Sequence, residues 1–233
     1  MDCMKQFLKH IGWLAALALL LLSACAKYDY AADQQRIRED GEVGAEGIAI
    51  GTVRSRDGIR FIRLDGVSCS EVMNPKEIQD IPDGTRVFLQ YRYVVEPSVA
   101  DFCADAILVE WASPLEVGEV RYELSAQACD PVYIIQDWMT SLEDGFLTLH
   151  YNIQASGKVK HDFSLYPGVE PNTYRLVHDA HGDFKGEMTD GLVCFDVSGL
   201  LPETEDDPVE LSLEYIDLQN TNRRLTVEYQ SPK

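Results

Sequence analysis

Four of the five histidines in this chain fall in its second half, and carboxylates stand close to them: His150, His161, His178 and His181, with Asp179 and Asp183 nearby. Imidazole and carboxylate on neighbouring strands make a ligand set for Zn²⁺ or a similar ion, and so the core of a metal-dependent hydrolase. The candidate ligands are His150, His161, His178, His181 and Asp183. To act together they must converge on one point, about 2.0–2.2 Å from a metal. Alternation along strands places His178 on the face of Tyr174 and Leu176, and His161 on the face of Phe163 and Leu165. His150 shares a face with Phe146 and Thr148 instead. The competing reading makes these strand-end histidines bonded to turn backbone. In Asp179-Ala180-His181-Gly182-Asp183, Gly182 then supplies a positive φ and the carboxylates cap a hairpin. No closed spacing such as His-Glu-x-x-His occurs.

The thiols come next. Beyond Cys3 and Cys25 the chain carries Cys69, Cys103, Cys129 and Cys194, an even number that an oxidising compartment would allow to pair. The simplest connectivity joins Cys69 to Cys103 and Cys129 to Cys194, within each half, although Cys194 between Val193 and Phe195 also fits a free thiol on one face of a strand. No base stands at a set spacing from any of them, so a thiol nucleophile is not indicated.

Acidic residues outnumber basic ones, 39 to 20, for a net charge of −19. Such a field repels phosphate backbones and argues against nucleic acid as a partner. Arg54, Arg56, Arg60 and Arg63 around one hairpin are the exception: either a local basic edge or ordinary solvated strand exteriors. Neighbouring acids such as Glu143-Asp144 and Asp206-Asp207 point to opposite faces of a strand and do not form a glycosidase pair. A Gly-rich phosphate loop and a Gly-x-Ser-x-Gly elbow are both missing, and the acidic run 203–207 lacks an alternating Ca²⁺ ligand pattern. Trp111, Trp138 and the tyrosines fit a recognition surface or, more ordinarily, sheet packing. No cofactor motif is found.

The elements that must position these groups read as strands throughout. Ile48 to Val53, Ile59 to Leu64, Thr85 to Val95 and Ala106 to Trp111 are separated by Asp57-Gly58, Asp65-Gly66 and Asp83-Gly84 turns. Four or five short strands in residues 46–115 predict a small OB-like barrel. Pro114 and Gly118 mark a boundary, and residues 116–233 repeat the pattern: Val120–Leu124, Pro131–Asp137, Phe146–Ile153, His161–Tyr166, Tyr174–His178, Leu192–Val197, Val209–Asp217 and Leu225–Tyr229. Seven or eight short strands at this spacing predict an antiparallel β-sandwich, so the fold class is all-β.

The N-terminus is built for export. Lys5 and Lys9 precede an apolar run, Ile11 to Leu22, too short to span a bilayer as a helix. Leu22-Ser23-Ala24-Cys25 resembles a bacterial lipobox, which makes 1–24 a cleaved signal peptide and Cys25 the lipidated first residue. Acyl chains on Cys25 anchor stably when two or more are present. The alternative is an ordinary cleavage after Ala26. Ala26 is not an acidic retention signal, so the expected location is the outer membrane of the cell envelope, on a face the sequence does not reveal. Residues 25–45 are small and polar, a tether. Loss of 1–24 takes the net charge to −20.

Phe146-Leu147-Thr148-Leu149-His150-Tyr151, Lys160-His161-Asp162-Phe163-Ser164-Leu165, Leu176-Val177-His178-Asp179-Ala180-His181-Gly182-Asp183 and Val193-Cys194-Phe195-Asp196-Val197 together resemble the NigD-like family of bacterial lipoproteins. Asp57-Gly58 and Gly84-Thr85-Arg86-Val87 resemble the family's first domain. The resemblance implies an OB-type barrel followed by a β-sandwich and implies no known activity. The family's association with a bacteriocin locus implies an immunity role by analogy. The expectation is a non-enzymatic, membrane-anchored binding module for an unknown protein, peptide or glycan.

Overall fold

The computed structural model describes residues 46–229 apart from 68, 95–97, 99, 124–128 and 202–207. The signal peptide, Cys25 and the tether lie outside the described residues. Among those described, no helix is long and apolar enough to cross a membrane.

Five strands close the barrel: β1 (Glu46–Arg56), β2 (Ile59–Leu64), β3 (Cys69–Val72), β4 (Arg86–Tyr93) and β5 (Asp105–Pro114), in the order β1-β2-β3-β5-β4. Asp57 and Gly58, both at positive φ, turn the first hairpin as the Asp-Gly dipeptide predicts. β3 is the strand that the sequence reading lacked. It is only four residues long, returns antiparallel to β2 after the Asp65-Gly66 turn, and closes the barrel by pairing β5 in parallel, with no hairpin between them. Its interior is filled by Val53, Ile62, Leu64, Val87, Leu89, Tyr91 and Ile107. A 3₁₀ turn at Pro75–Ile78 contributes Ile78 to the same cluster.

The second half forms two five-stranded sheets. One contains β6 (Glu116–Val117), β13 (Glu187–Asp196), β10 (Phe146–Ala155), β8 (Tyr133–Ile135) and β9 (Ser141–Glu143). The other runs β15 (Asn222–Tyr229), β14 (Val209–Ile216), β12 (Thr173–Asp179), β11 (Asp162–Pro167) and β7 (Glu119–Val120). Leu147, Leu149, Val193 and Phe195 of the first sheet share one buried core with Phe163, Leu165, Leu176, Leu213 and Leu225 of the second. The strand expected at Val120–Leu124 is instead a pair of two-residue strands that begin earlier. β6 adds in parallel to β13, and β7, two residues later, adds in parallel to β11. The chain changes sheet at Gly118, where a Cβ would sit 2.2 Å from Phe195 Cε1. β9 and the first half of β13 also went unread. Glu187–Asp190 is polar and exposed, so it carries no core-facing alternation.

A buried polar seam joins barrel to sandwich. Thr52 pairs Arg63 on one side and Arg86 on the other, so all three point out of the barrel in one row, and Ile50 and Phe88 form the next. Yet Arg86 is 1% and Thr52 0% exposed, because the β9–β10 hairpin covers them. Arg86 forks onto Asp65 (2.6 and 2.5 Å) and also donates to Thr52 Oγ1 and, across the seam, to Thr148 Oγ1 (3.1 Å). Ser141 Oγ donates to Asp65 from the sandwich side (2.7 Å). At the hairpin tip Asp144 and Gly145, both at positive φ, make the turn. Asp144 then accepts from Arg54 (2.8 Å) and Arg63 (2.9 Å).

The basic edge read from the sequence is therefore spent internally. Arg60 donates to the carbonyls of Ile78 and Ile81, and Arg56 lies over the Phe102 ring at 4.8 Å. Replacing Arg86 with Met leaves Asp65 as an uncompensated carboxylate in the seam. Urea unfolding of R86M should show a loss of about 3–5 kcal/mol, the range for breaking a buried ion pair from one side. A loss below about 1 kcal/mol would show that the seam is solvated.

Candidate functional site

The five candidate metal ligands do not converge; they form three separate groups, and the predicted cluster is corrected accordingly. Among the described residues no three His, Cys, Asp or Glu side chains are arranged to hold a metal ion. Strand alternation explains the split. Tyr174, Leu176 and His178 point into the sandwich, where His178 stacks on Phe163 at 4.8 Å. His150 points out of the opposite sheet, on the face of Thr148.

The first group is His161, His178 and Asp183. His178 Nδ1 donates to the Pro131 carbonyl (3.0 Å), which leaves Nε2 as acceptor for His161 Nδ1–H (2.9 Å). His161 Nε2 faces Asp183 Oδ2 at 3.5 Å and has no hydrogen-bond partner. Burial holds His178 below the ordinary histidine value. Hydrogen bonds from the backbone and then the hydroxyl of Ser156 hold Asp183 below the ordinary carboxylate range. This arrangement ties the 156 turn and the 130s loop to β12. It is a buried structural chain whose Pro131 end is closed by a hydrogen bond and whose His161 Nε2 end faces Asp183.

His181 forms the second group, at an exposed turn. It sits at positive φ ahead of Gly182, and its N–H is capped by Asp179 Oδ1 (2.8 Å). Asp162 Oδ2 lies 2.7 Å from Nε2 and raises its pKa.

The third group was only one-third legible. His150 Nδ1 meets Asp137 Oδ2 at 2.8 Å, and Nε2 meets both Asp190 oxygens at 2.9 and 2.8 Å. Burial opposes charge on the ring, but the hydrogen bonds to Asp190 and Asp137 outweigh it and raise the pKa. Both ring nitrogens face carboxylates, which favours the doubly protonated ring, a form with no lone pair for a metal. Asp190 reaches His150 because it pairs Asn152, two residues along β10 on the same face. That relation depends on strand register, and no sequence spacing encodes it. Thr140 completes the corner: its hydroxyl accepts from His150 N (3.0 Å) and donates to the Ile135 carbonyl (2.6 Å).

Asp137 lies beside Trp138, and there the sandwich meets the barrel's aromatic face. Phe88 packs edge-on against Trp111 (5.5 Å) and stacks with Trp138 (6.5 Å). Trp111 Nε1 donates to Gln90 Oε1 at 2.8 Å, which fixes the ring. Both indoles stay open to solvent, Trp111 at 41% and Trp138 at 51%. The sequence offered each tryptophan singly; their meeting requires the seam. A separate cleft of about 670 Å³, beside β8 and the β14–β15 hairpin, is lined by Tyr133, Tyr215, Asp217 and Arg223. Its charges are internally balanced, Arg223 on Asp217 (2.6 Å) and Arg224 on Glu214 (2.7 Å).

The expected disulfides are also corrected. All four cysteines among the described residues are free thiols. Cys69 Sγ donates to the Phe102 carbonyl (2.9 Å) beside Cys103, so this pair is adjacent but unjoined. Cys129 bonds the Leu176 carbonyl and Cys194 the Glu116 carbonyl, in different sheets, which separates the second pair. Burial pushes the Cys194 thiol up to about 11 and raises Cys103 as well, so neither is an activated nucleophile.

An OB-type closed barrel followed by a two-sheet sandwich makes this a two-lobed all-β protein. Within it, residues 119–229 match the model of the NigD-like C-terminal beta sandwich domain. The family resemblance read from the sequence is thus borne out over the sandwich. Solved structures share the fold at low identity. A Parabacteroides distasonis protein described as toxin-related aligns over 79% of this chain and 93% of its own, at 21% identity and a TM-score of 0.65. A Bacteroides fragilis protein described as a lipoprotein aligns over 81% and 100%, at 9% identity and 0.56. A NigD-like immunity protein of Bacteroides caccae aligns over 78% and 96%, at 16% identity and 0.52. No curated protein matches the sequence.

The His150 geometry has a pH consequence. A folded-state pKa raised above the unfolded value near 6.5 adds stability that is complete below that value and lost as pH rises through the folded one. In NMR titrations the His150 ring should have its midpoint above an ordinary histidine. The stability difference between wild type and His150→Gln should shrink with rising pH. A midpoint at or below the ordinary value would contradict the two-carboxylate cradle.

Proposed function

We propose that the protein is a non-enzymatic interaction lipoprotein of the cell envelope, anchored through Cys25 to the outer membrane and holding its two β lobes out on the 25–45 tether. The observation that carries this reading is how the reactive side chains are used. Each candidate catalytic histidine is committed to a structural partner: His150 to Asp137 and Asp190, His161 to His178, and His181 to Asp162. Half-exposed tryptophans at the lobe junction, Trp111 and Trp138, are left facing outward, side chains suited to recognition. The fold shared with a protein described as a lipoprotein fits the anchor.

A second reading, an immunity-type protein, draws on the NigD-like sandwich and on the fold shared with the Bacteroides caccae immunity protein. It makes the chain one half of a specific pair. Deletion should then sensitise cells to a single toxin and leave general envelope integrity intact.

Purified protein should show no turnover of ester, peptide, glycoside or phosphate-ester substrates above buffer, and no stoichiometric transition metal by inductively coupled plasma mass spectrometry. Turnover, or a bound metal that disappears in His161→Ala and His178→Ala, would replace the interaction reading with a metal-dependent hydrolase. Labelled palmitate should enter the wild type and not Cys25→Ala.

A further inference from the structure

The surface where the two lobes meet carries more than packing requires. Trp111 and Phe88 come from the barrel and Trp138 from the sandwich, with Phe88 between the two indoles. Large apolar rings left half-exposed across a junction are unusual in a protein that could turn them inward. Two of these rings are also held in place, Trp111 by Gln90 and Phe88 by its strand beside the buried Ile50, so a ligand would meet them already ordered. Pre-ordered tryptophan is the side chain that most often dominates binding energy at an interface.

The polar groups beside the rings define the occupant. Asp137 follows directly from the Trp138 loop, and Asp190 lies on the other side of His150 with a side chain 63% exposed. Two carboxylates against a ring that carries at most one positive charge leave a net negative charge beside the aromatic cluster. On the barrel side Arg92 is already paired with Glu110, so Asp137 and Asp190 are the charges offered beside the rings. A chain of net charge −19 draws cations toward it from a distance. Lysine and arginine are donors only, and they pair with carboxylates and lie over indole rings. A glycan hydroxyl, which donates and accepts alike, would find few donors beside these carboxylates. A partner with an acidic surface would be repelled.

We infer that the Trp111–Phe88–Trp138 cluster and the adjoining Asp137 and Asp190 carboxylates form a docking surface for a cationic polypeptide. The partner sets a Lys or Arg side chain against Asp190 and Asp137 and lays apolar side chains on the two indoles. This rests on the interaction reading above and deepens it by naming the surface and the chemistry of the partner. The His150 cradle positions the carboxylates without touching the partner.

The test titrates the full chain, in a non-ionic polyoxyethylene detergent, with the peptide Lys-Leu-Lys-Leu-Lys-Leu-Lys by isothermal calorimetry. Controls are the same peptide with Glu for Lys, and the neutral hexasaccharide cellohexaose. Saturable one-to-one binding of the cationic peptide is expected, weakening as salt rises. Trp111→Ala and Trp138→Ala should each weaken it at least about tenfold, as loss of an interface hot spot does. Asp190→Asn should weaken it in low salt and matter little in high salt. Circular dichroism of each exposed-site variant confirms the fold. Absence of saturable binding would overturn the assignment. Binding indifferent to both tryptophan variants, or preference for the acidic peptide or the hexasaccharide, would overturn it too. In any of those cases a protein that still lacks turnover keeps the interaction reading, and only this surface is withdrawn.

Discussion

Arg86 projects from the outer face of a barrel strand, yet no solvent reaches it. A guanidinium can be buried at tolerable cost only when its fork is met by a carboxylate and its remaining protons find acceptors. Asp65 supplies the carboxylate from the barrel, and Thr148 supplies an acceptor from the sandwich. Ser141 then binds the same Asp65 from the sandwich side. The Thr148 and Ser141 bonds exist only while the β9–β10 hairpin lies across β1 and β4, and Arg86 Nε is the one guanidinium nitrogen without a hydrogen-bond partner. Asp144, at the tip of that hairpin, fixes the contact a second time through Arg54 and Arg63. Two β units with separate apolar cores are thereby held in one arrangement by charge and geometry, which non-directional apolar packing would not specify.

What faces outward follows from that arrangement. Phe88 is one row along from Arg86 on the same face of β4, just where the covering hairpin ends. Trp138 comes from the chain that leads into that hairpin, and so arrives beside it. Asp137 is its neighbour in sequence, and Asp137 fixes His150, which lies one face-step from the Thr148 that Arg86 binds. The aromatic cluster and the His150 group with its two carboxylates are therefore successive positions outward from one buried ion pair.

The sequence made the strands legible wherever alternation and Asp-Gly turns were strong. Ile59–Leu64 and Phe146–Ile153 emerged nearly as read, and Leu176–His178 faced inward as the period-2 pattern required. It failed where pairing, and not pattern, makes the strand. β3 is four residues with no hairpin turn into β5, and the split strand at Gly118 is recognisable only once Phe195 is known to need the space. The same limit governed the site. Four histidines close in sequence implied one metal centre, but parity of position sent His150 to one side of its sheet and His178 into the core. Asp190 was invisible because its relation to His150 exists only through the Asn152 register. The arginines of the first hairpin had the residue types of a basic edge, but Asp144, some eighty positions away, neutralises two of them.

The polar seam should make barrel and sandwich unfold as one. In a chain that begins at residue 25, Trp111 reports on the barrel and Trp138 on the sandwich, so single-tryptophan variants follow each lobe in one urea series. Coincident transitions in the wild-type seam, and a Trp111 transition that moves ahead of Trp138 when Asp144 is replaced by Ala, are the predicted result. Transitions that are separate from the outset, or that remain coincident and unshifted in D144A, would contradict the account.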